Sequence, residues 1–238
     1  MKTTATEKAS PRPDHRIEVA ARRREQMRAR LLNATLAVFT RDSGAAPGIE
    51  DVVRSAKVSR GTFYLYFQTL DEALQALVQE QSDQMTRVAL PIYEVLKEPW
   101  QRFAVGFRLF LKRASSDSRW ALFMNRSILI SGKQLMTAYM QEDLRRGKEL
   151  GQFAYAELEV AMDVEMSSLV AGIRSLGIGV SHPETYMDES VRMALTGLGC
   201  AGDLCERSVR FSREYLDGWS WSRTDERGSQ FGPSTLPE

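Results

Sequence analysis

At 238 residues, 43% hydrophobic and 26% charged, the chain is long enough for one large or two modest domains with a real core. It contains no apolar run of about 18 residues, which excludes a membrane-spanning helix, and its first thirty residues are too charged for the apolar region of a signal peptide. Its formal net charge is only +1, but residues 1–67 carry 13 Lys+Arg against 7 Asp+Glu, so the basic charge is concentrated at one end.

The chain begins with a basic segment, assigned as an arm over residues 1–21. Together with the residues that follow, it holds Arg12, Arg16, Arg22, Arg23, Arg24, Arg28 and Arg30. These either extend the first helix or trail as a flexible arm along a groove; a solvated arm without a role explains them equally well. Residues Leu31 to Phe39 read as a helix ending near Gly44. In Ile49 to Ala56 the apolar residues Ile49, Val52, Val53 and Ala56 recur at i, i+3, i+4 and i+7, one buried face of an amphipathic helix, while Glu50, Asp51 and Arg54 face water. Lys57-Val58 interrupts that pattern. Ser59 then caps a new helix starting at Arg60, because its hydroxyl can accept from an unpaired amide of the first turn. Phe63 and Phe67 lie four residues apart and bury together, leaving Arg60, Gly61, Thr62, Tyr64, Leu65 and Tyr66 in outward rows. Gly61, with no side chain, lets the start of this helix approach another surface, where a phosphate could bind. Residues 48–67 therefore read as a helix-turn-helix.

Taken together, Val52, Ala56, Val58, Ser59, Arg60, Gly61, Thr62, Tyr64, Tyr66 and Phe67, followed by Thr69, Asp71, Glu72 and Leu74, resemble the tetracycline-repressor (TetR) family of bacterial transcriptional regulators, over about residues 22–85. The resemblance implies an all-α homodimer: an N-terminal three-helix DNA-binding domain, and a C-terminal helical domain that binds an effector and dimerises. It assigns Arg60, Thr62 and Leu65 to base edges in double-stranded DNA and Lys57, Tyr64 and Tyr66 to phosphates, with Ser59 and Gly61 shaping the helix start. The chemistry agrees. Arginine pairs in bidentate fashion with guanine, leucine or a threonine methyl meets a thymine methyl, and phosphate contacts set register without reading sequence. Three positions depart from the family pattern. Pro47-Gly48 stands where a hydroxyl residue usually caps the second helix, Lys57 where glycine is usual, and Leu70 where lysine usually starts the fourth helix. A positive backbone angle at Lys57 would carry a cost, and Leu70 leaves only backbone amides at that helix end.

Beyond residue 85 the chain continues as helices, since strand-type alternation is absent. The expected helices are Asp71 to Val88, with Pro91 disturbing its continuation, then Trp100 to Ala114, Arg119 to Ile130, Gln134 to Leu150, Glu157 to Leu176, Glu184 to Leu198 and Asp203 to Asp217. Residues 86–217 form the helical effector and dimerisation domain, and residues 218–238, with Trp219 and Trp221, a disordered or loosely docked tail. Phe103, Phe107, Phe110, Trp120, Phe123, Met124, Met136, Tyr139, Met140, Met162 and Met166 line either an apolar cavity or plain core. Arg126, Ser127, Tyr139 and Asp163 are the candidates to orient a ligand there, and a hydrophobic or aromatic effector is expected. Val160, Val164, Ser167, Ser168, Ala171 and Gly172 are small enough for close helix packing, within the chain or between two copies.

Catalysis finds little support. His15 and His182 stand near no serine, cysteine or carboxylate cluster, and Glu157/Glu159 and Asp163/Glu165, spaced by two on a helix, splay apart as a solvated edge. Cys200 and Cys205, the only cysteines, are expected to be reduced thiols in a cytoplasmic protein, and no cofactor or metal is expected. The reading is a ligand-responsive regulator, a repressor that leaves a palindromic operator when the effector binds. The alternative from another class is a helical ligand-binding or interaction protein with a weakened DNA-binding head.

Overall fold

The computed structural model describes residues 15–41, 47–127 and 135–217, which form ten α-helices and no strand. The all-α expectation is met. The expectations placed on Arg12, Gly44 and residues 218–238 lie outside the described residues, as do those on the side chains of Arg16, Arg126, Ser127 and Met136. The chain divides into two compact units between Leu74 and Gln75.

In the first unit, α1 (His15–Phe39) is much longer than the helix read from Leu31 onward. Residues 15–30 contain no glycine or proline and are rich in alanine, arginine and glutamate, all good helix formers, so this part of the basic segment extends the helix. Only its C-terminal part buries a face, through Leu31, Leu32, Ala34, Thr35 and Val38. Buried Thr35 satisfies its hydroxyl by donating to the Leu31 carbonyl at 2.9 Å. Helix α2 (Ile49–Ala56) packs on α1, and α3 (Arg60–Tyr64) packs on α2. Val52, Val53, Ala56, Phe63 and Phe67 complete this core.

Helix α4 (Leu70–Val95) contains the point where the two units divide. The expected interruption near Pro91 does not occur: α4 runs through the proline to Val95. Val88, Ala89, Ile92 and Leu96 are all buried, and this packing outweighs the roughly 3 kcal/mol that an interior proline costs.

The second unit is organised around α5 (Pro99–Ser116), which contacts α6 (Ser118–Ser127), α7 (Leu135–Glu149), α8 (Leu158–Ile178), α9 (Pro183–Gly197) and α10 (Gly202–Tyr215). A helix surrounded this way is apolar on nearly every side, and α5 buries Phe103, Ala104, Val105, Phe107, Leu109, Leu111 and Ala114. Its one buried charge, Arg108, is paired with Asp188 at 2.6 Å and Glu184 at 2.7 Å, both on α9. Two glycines let α8 approach its neighbours. A Cβ at Gly172 would lie 2.6 Å from Leu111 Cδ2, and one at Gly177 would lie 2.5 Å from the Ala121 Cβ. Gly172 thus serves packing within the chain. No described helix is long and apolar enough to cross a membrane.

Candidate nucleic-acid interface and helical ligand domain

Gly48 caps α2 in extended conformation and has no side chain to accept from the first-turn amides, but its own N–H donates to Asp51 Oδ2 at 3.0 Å, the reciprocal half of a capping box. The turn is made at Lys57, which adopts φ 53° and ψ 48°, the left-handed region. Its N–H and that of Val58 return to the last carbonyls of α2. Ser59 caps α3 as expected: its Oγ accepts from the Thr62 N–H at 3.1 Å and lies 2.9 Å from Thr62 Oγ1. Phe63 and Phe67 are buried with ring centroids 5.8 Å apart. That anchors α3 and leaves Lys57, Ser59, Arg60, Gly61, Tyr64 and Leu65 exposed, Leu65 at 76%, with Thr62 and Tyr66 half-buried.

Arg60 is not idle. It donates to the Tyr64 hydroxyl at 3.5 Å and pairs with Glu50 of α2 at 2.9 Å. Tyr64 and then Glu50 raise its pKa above the ordinary arginine value. The pair holds the guanidinium on the exposed face. At the start of α4, Thr69 Oγ1 accepts from the Glu72 N–H at 3.1 Å and Glu72 Oε2 accepts from the Gln68 N–H at 2.6 Å. Of the backbone amides left at the Leu70 end of α4, those of Gln68 and Glu72 are therefore occupied.

In the second unit the aromatic residues singled out on α5 and α6 fall into two groups. Phe103 stacks with Phe107 at 5.8 Å and with Phe153 at 5.9 Å, while Phe110 meets Trp120 at 6.4 Å. Phe103, Phe107, Trp120, Phe123 and Met124 are buried; Phe110, Tyr139, Met140, Met162 and Met166 are half-buried. Asp163 is exposed and joins neither group. Tyr139 stacks on Tyr93 of α4 at 4.7 Å, in a polar cluster that sequence reasoning missed. Asp143, only 1% exposed, accepts from Arg102 Nε at 2.6 Å, and its Oδ2 has no hydrogen-bond partner. Burial pushes the Asp143 carboxyl up to about 6, against the pull of Arg102. The signal was present: Tyr139, Met140 and Asp143 share one face of α7 at i, i+1 and i+4.

A second buried carboxylate corrects the sequence reading. Of Glu157, Glu159, Asp163 and Glu165, read as a solvated edge, the first three are exposed but Glu165 is 1% exposed and its Oε2 has no partner. The helix α8 also leaves Val160, Val164 and Ile178 at least half exposed, and α9 leaves Met193 68% exposed.

Residues 31–77 match the family model described as bacterial regulatory proteins, tetR family. No curated protein matches the sequence. Among solved structures, a RolR protein in complex with resorcinol is 20% identical, with 81% of this chain and 95% of that one covered at a TM-score of 0.52. A fatty acid degradation regulator, FadR, from Bacillus halodurans is 16% identical, with 74% and 97% covered at 0.61. A gamma-butyrolactone receptor (ArpA-like protein) is 14% identical, with 80% and 96% covered at 0.60. At these identities the structural likeness establishes the fold.

Proposed function

The chain is a tetR-family regulator, all-helical with the family's DNA-binding head at its N-terminus, and on that premise we propose that it represses transcription from a palindromic operator and releases it on binding a small hydrophobic or aromatic molecule. The observation that carries the DNA-reading part is the capped five-residue α3 with Arg60 and Leu65 exposed over a buried Phe63–Phe67 anchor. Arg60, Thr62 and Leu65 read base edges; Lys57, Tyr64 and Tyr66 hold phosphates. The arginines of α1 add sequence-independent attraction.

The effector part rests on a different observation. Two proteins of this fold are described as a resorcinol complex and a gamma-butyrolactone receptor, so the fold takes up small organic molecules of differing shape. In this chain the Phe103–Phe107 pair supplies apolar surface, and Asp143, with Tyr93, Tyr139 and Arg102, supplies a polar group able to orient a ligand hydroxyl. Because α4 is one continuous helix from the head into the second unit, a ligand that prefers one α4 position by about 1–3 kcal/mol changes operator affinity measurably.

A second copy of the chain completes the reader. Val160, Val164, Ser167 and Ala171 follow one another on α8 at spacings of four, three and four, the seam spacing of paired helices, and all four are exposed. Two-fold pairing there would present two α3 helices to successive major grooves about 34–36 Å apart.

The test is selection of genomic fragments by the purified protein at low and moderate salt, repeated with Arg60→Ala. Recovery of one palindrome that persists at moderate salt, with preference relaxed at one base pair in the variant, supports the reading. Salt-sensitive recovery of unrelated fragments, unchanged in the variant, refutes it.

A further inference from the structure

Six exposed residues of α8, Val160, Val164, Ser167, Ala171, Arg174 and Ile178, follow one another at spacings of four, three, four, three and four. This is the period of about 3.5 residues that marks a seam between paired helices, and it runs along nearly the whole of α8. The set is also symmetric in sequence. Val160 lies as far before Leu169 as Ile178 lies after it, and the same holds for Val164 with Arg174 and for Ser167 with Ala171. The other exposed residues of α8 are Glu159 and Asp163, one turn apart and adjacent in sequence to Val160 and Val164. Among the described residues, neither Arg174 nor Asp163 forms an ion pair within its own chain. A cation in an otherwise uncharged seam, with an unpaired carboxylate beside the mirrored position, makes a surface that a second copy of the same helix complements.

We propose that two copies pair through α8 as an antiparallel seam whose two-fold axis passes beside Leu169. Val160 then packs on the partner's Ile178, Val164 on the partner's Arg174 and Ser167 on the partner's Ala171, while each Arg174 reaches across the seam to the partner's Asp163. This rests on the pairing of copies proposed above and fixes its register. The arginine stem covers the facing valine and its guanidinium stays at the solvent edge, so it meets exposed Asp163 and not Glu165, which is 1% exposed and sits beneath Gly197 of its own chain. Ser167 and Ala171 are the smallest side chains of the set and lie at its middle, where two crossing helices come closest. Other arrangements lose these contacts. A parallel pair sets Arg174 against the partner's Arg174. An antiparallel pair slid by one heptad leaves Val160 and Val164 facing beyond the C-terminal end of α8 in one direction, and Ile178 facing beyond its start in the other. The layer of Val160 on the partner's Ile178 also lies over the cavity of about 350 Å³ that Val160 and Val164 wall, so the second copy closes it.

The test places cysteines in the middle layer of the full chain, Ser167→Cys in one preparation and Ala171→Cys in another, and oxidises each alone, and the two together after subunit exchange, with glutathione disulfide. The mixture is expected to cross-link position 167 of one chain to position 171 of the other, read by peptide mass spectrometry, about tenfold or more faster than either variant cross-links with itself. Only facing residues bring their Cα atoms within the roughly 4.4–6.8 Å that a disulfide needs. A parallel pair gives the reverse, each variant cross-linking with itself, and overturns the proposal. Charge exchange reads the ion pair. Arg174→Glu and Asp163→Arg each put like charges at two symmetric places and weaken self-association about tenfold, measured by sedimentation at low salt, and the double variant recovers most of the loss. Both positions are exposed, and damage to the fold would not be repaired by exchanging the charges. No recovery in the double variant overturns the ion pair. If the unaltered chain sediments as a dimer but the mixture does not cross-link, the register is wrong and the pairing of copies stands; if the unaltered chain is a monomer, both fall.

Discussion

Lys57 holds a left-handed backbone that glycine adopts freely and lysine adopts at a cost of roughly 1–2 kcal/mol, part of which glycine would return as extra freedom in the unfolded chain. Lys57→Gly therefore raises the melting temperature by a few degrees, while removing a cation from the DNA-facing surface. Operator affinity falls, and the slope of log K against log salt becomes shallower by about one; a fall in thermal stability would show that the turn is not strained. The proposed phosphate contact gives a reason for a lysine that stands here against its local conformational preference. Glu165 poses the opposite case, a charge-bearing residue held where charge is disfavoured. Its carboxyl is raised from the usual 4.5 to about 8 by burial, so its contribution to stability is fully present below about 4.5 and is lost as pH rises through about 8. Asp143, raised from 3.8 to about 6, acts in the same direction in a lower window. The midpoint of urea unfolding accordingly drops between about pH 4 and pH 8 and levels off above that, by an amount corresponding to a few kcal/mol. Glu165→Gln abolishes the fall between pH 6 and pH 8 and leaves a smaller one between about pH 4 and pH 6, from Asp143. An unaltered profile would mean that water reaches the carboxylate.

At the scale of elements, α5 is held to α9 and α10 by one buried charge. Arg108 binds Glu184 and Asp188 of α9, and Asp188 also accepts from Arg213 of α10. Arg108→Ala deletes the long side chain inside the unit and costs about 3–5 kcal/mol, seen as a large drop in melting temperature. Arg108→Met keeps the volume and leaves Asp188 its second partner, so it costs clearly less. Equal losses would show that the charge, and not the filled space, fixes α5. These helices differ in how openly their sequences declare them. The 3–4 spacing of Val52, Val53 and Ala56, the Ser59 cap and the Phe63–Phe67 pair are local, and each stands where the sequence places it. Pro91 misled because the breaker is visible in sequence, whereas the burial of Ile92 and Leu96 that carries α4 past it belongs to tertiary packing. Glu165 misled for the same reason. Its neighbours Asp163 and Glu159 meet solvent, and only the approach of α9 at Gly197 covers the third carboxylate. Asp143 was legible as a member of the Tyr139 face of α7, but its partner Arg102 lies 41 residues earlier in sequence, beyond the reach of spacing arguments. The role of Gly172 stayed open between packing within the chain and packing between copies until Leu111 was seen against it.

On the scale of the whole molecule, the outer surfaces of the last three helices divide by chemistry. The exposed side of α10 carries Asp203, Glu206, Arg207, Arg210, Arg213 and Glu214, and is content in water. The exposed side of α8 carries Val160, Val164, Ser167 and Ala171, with Ile178 further on and Met193 of α9, and apolar surface of this extent is the kind that a second copy covers. The α8–α9 face is thus the one we propose to pair, and the charged α10 face the one left free. Ala171→Glu tests this directly, because Ala171 is exposed and would place two like charges at the proposed seam between copies. The variant is expected to remain helical and to sediment as a monomer. A reader that joins two half-sites through its own symmetry loses the second site's contribution once it is a monomer, so operator affinity falls by about a hundredfold or more while binding to an isolated half-site is unchanged. If the variant still sediments as a dimer and holds the palindrome as before, the pairing surface lies elsewhere. If it becomes a monomer and keeps full affinity, the chain reads DNA as a single head, and the α8 face serves another partner.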